Sequence, residues 1–213
     1  MNLNDEVDAY AAADFAAVNQ AFVDRLLQLA GTEPSLKLID FGTGPADIPI
    51  RISLARPAWH ITAVDASAPM LQVARESIRK ARFTQKIDLV LADAKKSKMP
   101  AAAFDCVISN SILHHVSDTS QFWTEIKRVA KPGAWILLRD LARPDSESRA
   151  RDIVAQNAAT ETALLQEEFF RSLLAAYTPD EIRAQLNAAG LPTLQVAMAS
   201  DRHVDVFGRL PNK

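Results

Sequence analysis

The chain has 213 residues, 48% hydrophobic and 23% charged, with a formal net charge of −2. That balance suits one globular domain, 1–213, with a core of its own, and excludes a strongly basic nucleic-acid surface as its dominant feature. A single cysteine excludes an intramolecular disulfide. No long uncharged apolar run or basic–apolar leader marks a membrane span or signal peptide, so a cytoplasmic location is expected.

Residues 1–33 read as a helical leader, with Phe15, Val18, Phe22, Val23, Leu26 and Leu27 recurring at helical spacing before Gly31. The first strand is Leu36–Phe41, and it runs into Gly42-Thr43-Gly44. The whole chain has only 6 glycines, about half of the usual ~7%, so two in one short loop mark a backbone with special demands. The loop offers unpaired N–H groups at a helix start, a berth for an anionic or carboxylate-bearing ligand. A plain strand-to-helix turn is the alternative. Pro45 suits the first helical turn, Pro49 falls among the early orphan donors, and Pro57 ends the helix.

The second strand, Ile61–Val64, terminates in Asp65, roughly twenty residues past the glycines, where doubly wound nucleotide-binding sheets place an acid on a ribose. A third strand, Ile87–Leu91, exits through Ala92-Asp93-Ala94. Three successive strands thus deliver a carboxylate at or near their carboxyl ends. The fourth strand starts at Phe104 and contains Cys106, a small buried hydrophobe sharing a face with Phe104 and Ile108. His114 and His115 follow it, and a neutral imidazole there can take a proton from an acceptor. Holding the loop is the competing role. Adjacent histidines diverge and no third ligand has suitable spacing, so no metal is expected.

A turn at Lys131-Pro132-Gly133 precedes the fifth strand, Trp135–Leu138. Arg139-Asp140 and Asp201-Arg202-His203 read as solvated surface. A helical insert at 143–176 carries Phe169, Phe170, Leu173 and Leu174. It lies on the carboxyl-end side of the sheet, where ligand pockets are built. Phe169, Phe170 and Tyr177 are candidate walls there, with core packing as the competing fate of each. A late helix follows Thr178.

Two readings of the glycine loop compete. The dinucleotide fingerprint G-x-G-x-x-G/A would put Asp47 where a small residue belongs, and a carboxylate there repels a pyrophosphate. The spacing from Asp40 to Ala46, D-x-G-x-G-x-A, resembles motif I of the Rossmann-like S-adenosylmethionine-dependent methyltransferases, with Ala46 in place of the last glycine. Val64-Asp65-Ala66-Ser67-Ala68-Pro69-Met70-Leu71 is similar to the second motif of that family and Leu91-Ala92-Asp93-Ala94 to the third. The resemblance runs over about residues 36–208 and is nearest to bacterial small-molecule members.

This resemblance implies an α/β fold, a doubly wound and mostly parallel sheet with the helical leader and the insert added. It implies S-adenosyl-L-methionine as cofactor, held by Asp40, Gly42, Thr43, Gly44, Asp65, Ala66, Met70, Asp93, Ala94 and Asn110. It also places the leader across the cofactor mouth, where Tyr10 or Asn19 faces the ligand or the helix simply packs on the sheet. The expected activity is methyl transfer to a small-molecule acceptor, with His115 as the favoured base and His114 as the second candidate. Ser109-Asn110-Ser111-Ile112 stands where base-methylating relatives carry N/D-P-P-Y/F, which argues against a flipped nucleobase. Neither nucleic acid nor membrane is expected as a partner. A non-catalytic cofactor-binding protein or enzyme subunit, and an NAD(P)-dependent reductase, remain as alternatives.

Overall fold

The computed structural model describes residues 15–212. Strands β1 (Lys37–Phe41), β2 (His60–Asp65), β3 (Ile87–Leu91), β4 (Phe104–Asn110) and β5 (Ala130–Leu141) run parallel. Strand β7 (His203–Arg209) lies antiparallel between β5 and β6 (Gln195–Met198). The order across the sheet is β3-β2-β1-β4-β5-β7-β6. Chain progression therefore reverses between β1 and β4, and a crevice opens outside the carboxyl ends at such a switch point.

Helices cover both faces. On one side α1 (Ala16–Ala30), α2 (Asp47–Ala55) and α3 (Ala68–Ala81) bury Phe22, Leu26, Ile52 and Ile78 against Leu38, Ile61, Ala63, Ile108 and Leu137 of the sheet. On the other, α4 (Thr119–Val129) and α7 (Pro179–Ala188) pack Phe122, Trp123, Ile126 and Ile182 on Ile39, Phe41, Val107, Ile136 and Leu138. Alternate residues of one strand thus serve opposite cores, which is why the central strands read as continuous apolar runs. The insert forms α5 (Glu147–Asn157) and α6 (Ala163–Ala175), with a smaller core under Leu141. Its neighbour α7 starts from a capping box in which Thr178 and Glu181 satisfy each other's backbone N–H. Among the described residues no helix is long and apolar enough to cross a membrane.

Several sequence expectations need correction. Helix α2 begins at Asp47 behind Ala46 as N-cap, so Pro45 sits outside it while Pro49 falls in its first turn. The turn at Lys131–Gly133 is absorbed into β5 as a bulge. Phe104 faces Ala130 while Cys106 already faces Trp135, and Gly133 adopts φ 73°. The slip also separates the faces: Cys106 and Ile108 share one core, and Phe104 belongs to the other. Burial pushes the Cys106 thiol far up, so it stays protonated and inert.

The polar clusters assigned to solvent are partly buried. Arg139 forks onto Asp205 of β7 through Nε at 2.7 Å and Nη2 at 2.8 Å, and Asp140 and His203 are buried beside that pair. Cross-strand partners on β7 make that burial affordable, and local sequence does not reveal them. Tyr10 lies outside the described residues. Asn19 donates to Asp47 at 2.9 Å, which ties α1 to the start of α2.

Candidate functional site

Three left-handed residues within five positions turn the chain out of β1: Gly42 at φ 77°, Gly44 at 54° and Ala46 at 66°. Glycine adopts that region without penalty. The bend lets the backbone fold back on β2. Gly42 and Thr43 donate to the Val64 carbonyl at 2.8 and 3.0 Å, and Gly44 donates to Asp65 Oδ2 at 2.8 Å. Asp65 Oδ1 accepts from Ser67 N at 2.8 Å, which fixes the entry to α3. Each Asp65 oxygen therefore spends one lone pair on a loop N–H and keeps acceptor capacity for a ligand. A Cβ on Gly42 would stand 2.2 Å from Ile112 Cγ2, so the glycine loop packs directly on the segment that leaves β4.

Asp40 is 2% exposed. Burial pushes its carboxyl up to about 7, against the nearby Thr43 side chain, which favours the charged form, and with the neighbouring charge of Asp65 adding to the rise. Thr43 is 7% exposed. Its Oγ1 is buried and has no partner of regular hydrogen-bond geometry. The N–H groups of Gly42, Thr43 and Gly44, expected from the sequence to be unpaired, are instead committed to the Val64 carbonyl and to Asp65, so the buried Thr43 hydroxyl is the polar group this loop leaves without a regular partner.

The remaining candidates line the same end of the sheet. Ala92 N donates to the Asp65 carbonyl at 3.0 Å and sets the exits of β2 and β3 side by side. Asp93 is exposed, accepting from Lys95 N at 2.8 Å. Ala94 follows it, Ala66 and Met70 flank the start of α3, and Asn110 closes β4. A groove of about 470 Å³ lined by Arg79, Arg82, Phe83 and Lys86 opens at the opposite, amino ends of β2 and β3. It contains none of these residues.

Beyond β4 the chain makes a tight helical turn, Leu113–His115. Ser111, at φ 59°, donates to the Arg139 carbonyl at 2.8 Å. Asp140, at the end of β5 and 4% exposed, accepts from Leu113 N at 2.5 Å and meets His114 Nδ1 at 2.5 Å. Its Oδ1 also accepts from Leu141 N at 2.7 Å. Tyr177 Oη donates to the Val116 carbonyl at 2.9 Å and pins the far end of the turn. His115 is exposed and makes no side-chain hydrogen bond among the described residues; its ring is tilted by 42° against that of His114, the centroids 4.0 Å apart. Partial desolvation by its neighbours, then the charge of His114, lower its pKa, with Asp140 acting in the opposite sense.

Sequence reasoning favoured His115, whereas it is His114 that the fold engages. The residue it missed is Asp140, although the signal was present: like β1, β2 and β3, strand β5 carries a carboxylate at its carboxyl end. The insert's aromatics have structural work. Phe170 is buried with Ile153 and Leu173 under the Arg151 guanidinium at 4.3 Å, and Phe169 packs against the same cluster.

Comparison with known proteins agrees with this arrangement. A family model described as a methyltransferase domain matches residues 39–138, from β1 to within β5. The ubiquinone/menaquinone biosynthesis C-methyltransferase UbiE of Hahella chejuensis is 29% identical over 132 residues, 61% of this chain and 53% of that protein. Its namesake in Pseudomonas savastanoi pv. phaseolicola is 25% identical over 177 residues, 83% of this chain and 69% of that protein. The chain spans about half the length of several such curated relatives. A SAM-dependent methyltransferase from Aquifex aeolicus superimposes with a TM-score of 0.69 at 18% identity, covering 99% of this chain and 100% of that one, a likeness of fold. Together with the motif order, these matches identify residues 39–138 as a methyltransferase domain, within a chain that has the fold of S-adenosylmethionine-dependent methyltransferases.

Proposed function

We propose that the chain transfers the methyl group of S-adenosyl-L-methionine to a small-molecule acceptor. The observation that carries this reading is Asp65, whose carboxylate ends β2, grips the Gly44 N–H and retains acceptor capacity on both oxygens. In this reading Asp65 accepts from both ribose hydroxyls and Asp93 from the adenine amino group. Met70, Ala66 and Ala94 pack near the base, while Asp40, Gly42, Thr43, Gly44 and Asn110 surround the amino-acid end. The buried Thr43 Oγ1, which has no partner of regular hydrogen-bond geometry, supports the fit.

When bound, the cofactor supplies a methyl carbon on a cationic sulfur, a leaving group that departs neutral. What remains for the protein is to exclude water and hold an acceptor in line at near-attack distance, which supplies much of such a rate enhancement. The acceptor side is the region under α5 and α6. The net charge of −2 and the absence of the base-methylating tetrapeptide favour a metabolite over a nucleic acid.

Labelled transfer tests this reading. The protein is incubated with S-adenosyl-[methyl-14C]methionine and the small-molecule fraction of a cell extract. New labelled species of low mass are expected. Label confined to nucleic acid or protein contradicts the small-molecule acceptor. Tight adenosylhomocysteine binding with no label transferred to any fraction identifies a non-catalytic binder.

A further inference from the structure

The hydrogen bonds of Asp140 fix more than a loop. Both carboxylate oxygens are committed, one to Leu113 N and the other to His114 Nδ1 and Leu141 N. Every partner whose proton is fixed by chemistry donates to it, so the arrangement is satisfied when Nδ1 also carries a proton. The second ring nitrogen, Nε2, then holds a lone pair. Among the described residues it has no protein partner, yet it is not among the sealed side-chain atoms that lack one, so it meets solvent through a narrow opening: the His114 side chain is 5% exposed. That opening belongs to a turn whose Ile112 side chain abuts Gly42 of the glycine loop.

We propose that Asp140 is a positioning residue that holds His114 as the Nδ1–H imidazole, leaving Nε2 to take the proton that an acceptor sheds on methylation. The inference rests on the methyltransferase reading and deepens it, because it assigns the acceptor to the protic class: a hydroxyl, an enol or an ammonium rather than a nucleophile already free of its proton. The acceptor's proton passes to Nε2, the electron pair it leaves on the acceptor forms the new bond to carbon, and the carbon–sulfur pair stays with sulfur. The imidazolium so formed is stabilised by Asp140 and returns the proton to water. A carboxylate behind a base orients the ring and selects its tautomer in this way. Among the described residues His115 has no such orienting partner.

Long-range proton–nitrogen NMR on labelled histidine reports which ring nitrogen is protonated, independently of turnover. Wild type is expected to show His114 protonated on Nδ1 with Nε2 bare, and Asp140→Asn to shift that population toward the Nε2–H form that free imidazole prefers. An Nε2–H tautomer in wild type, or an unchanged tautomer in a folded Asp140→Asn protein, overturns the proposal. His114→Gln keeps an amide that can donate to Asp140 but removes the base. It should lose roughly a hundredfold or more of the label transfer, within the usual contribution of a general base. Full transfer by that variant, or loss in His115→Ala alone, overturns the assignment. Adenosylhomocysteine titration of the same samples separates the two levels. Wild type that binds none removes the methyltransferase reading itself, whereas normal binding with the wrong tautomer removes only the role of His114 and Asp140.

Discussion

At the residue scale, the glycine loop contains one position where an alanine stands in a glycine's conformation. Ala46 at φ 66° is fully buried. Left-handed geometry costs a residue with a side chain about 1–2 kcal/mol. Glycine would relieve that cost but lose a buried methyl worth about 0.8 kcal/mol and gain freedom in the unfolded chain worth about 0.4–1 kcal/mol. Ala46→Gly is therefore expected to be nearly silent, within about 0.5 kcal/mol by urea unfolding. Gly42→Ala has no such offset. Its Cβ would collide with Ile112 at 2.2 Å in a φ 77° conformation, for an expected loss of roughly 2–4 kcal/mol. Equal stability of both variants with wild type would contradict the loop geometry. The acids at 40, 65 and 93 were legible because strand ends are set by local pattern. Asp140 stands at a strand end too, but its burial was not legible, since that depends on a turn 27 residues earlier and on β7.

At the scale of elements, the five parallel strands and the late helix were legible from apolar runs, capping residues and prolines. The bulge in β5 was not, because Lys-Pro-Gly reads as a turn in sequence and only the neighbouring β7 and the chain's end keep it in the sheet. Gly133 N donates to the Pro211 carbonyl at 3.2 Å, and Arg209 Nε returns to the Gly133 carbonyl at 3.0 Å. The insert's helical spacing was also clear, but not that α5 and α6 would pack mainly on each other. Phe170 is central to that pair. Phe170→Ala is expected to cost about 3–5 kcal/mol and to speed amide exchange first in α5 and α6. Adenosylhomocysteine affinity should stay close to wild type, because β1 to β4 carry the proposed cofactor contacts. A large loss of that affinity in a folded variant would place Phe170 in the cofactor site instead.

At the scale of the whole molecule, two buried groups make opposite contributions to stability across one pH window. The Asp40 carboxyl titrates near 7 in the folded chain against 3.8 ordinarily, chiefly through burial. The folded state thus holds that proton more tightly, and the stability it confers is lost as pH rises from about 4 to 7. His203 is pushed down from 6.5 to about 4, first by burial and then by Arg202 and Arg139. The unfolded state takes that proton first, so its share is lost as pH falls from about 6.5 to 4. At about 1.4 kcal/mol per unit each is on the order of 3–5 kcal/mol, and the two largely offset. Asp40→Asn should leave a protein that loses thermal stability on acidification from pH 6.5. His203→Gln should leave one that loses it as pH rises toward 7. Parallel pH profiles for the two variants would contradict the opposition.

The doubly wound topology itself was implied by alternating strands and helices joined by right-handed crossovers. Short, largely exposed β6 has no apolar run to announce it. What that topology does is gather the ends of β3, β2, β1 and β4 into one crevice, and the proposed cofactor site stands or falls there. Calorimetric titration with adenosylhomocysteine, on wild type and on Asp65→Ala, tests it most directly. A charge-assisted hydrogen bond contributes roughly 1.5–3 kcal/mol, so Asp65→Ala should bind about ten- to a hundredfold more weakly while keeping its fold. Unchanged affinity in the folded variant, or wild type that binds NADH but not adenosylhomocysteine, is the result that would contradict it.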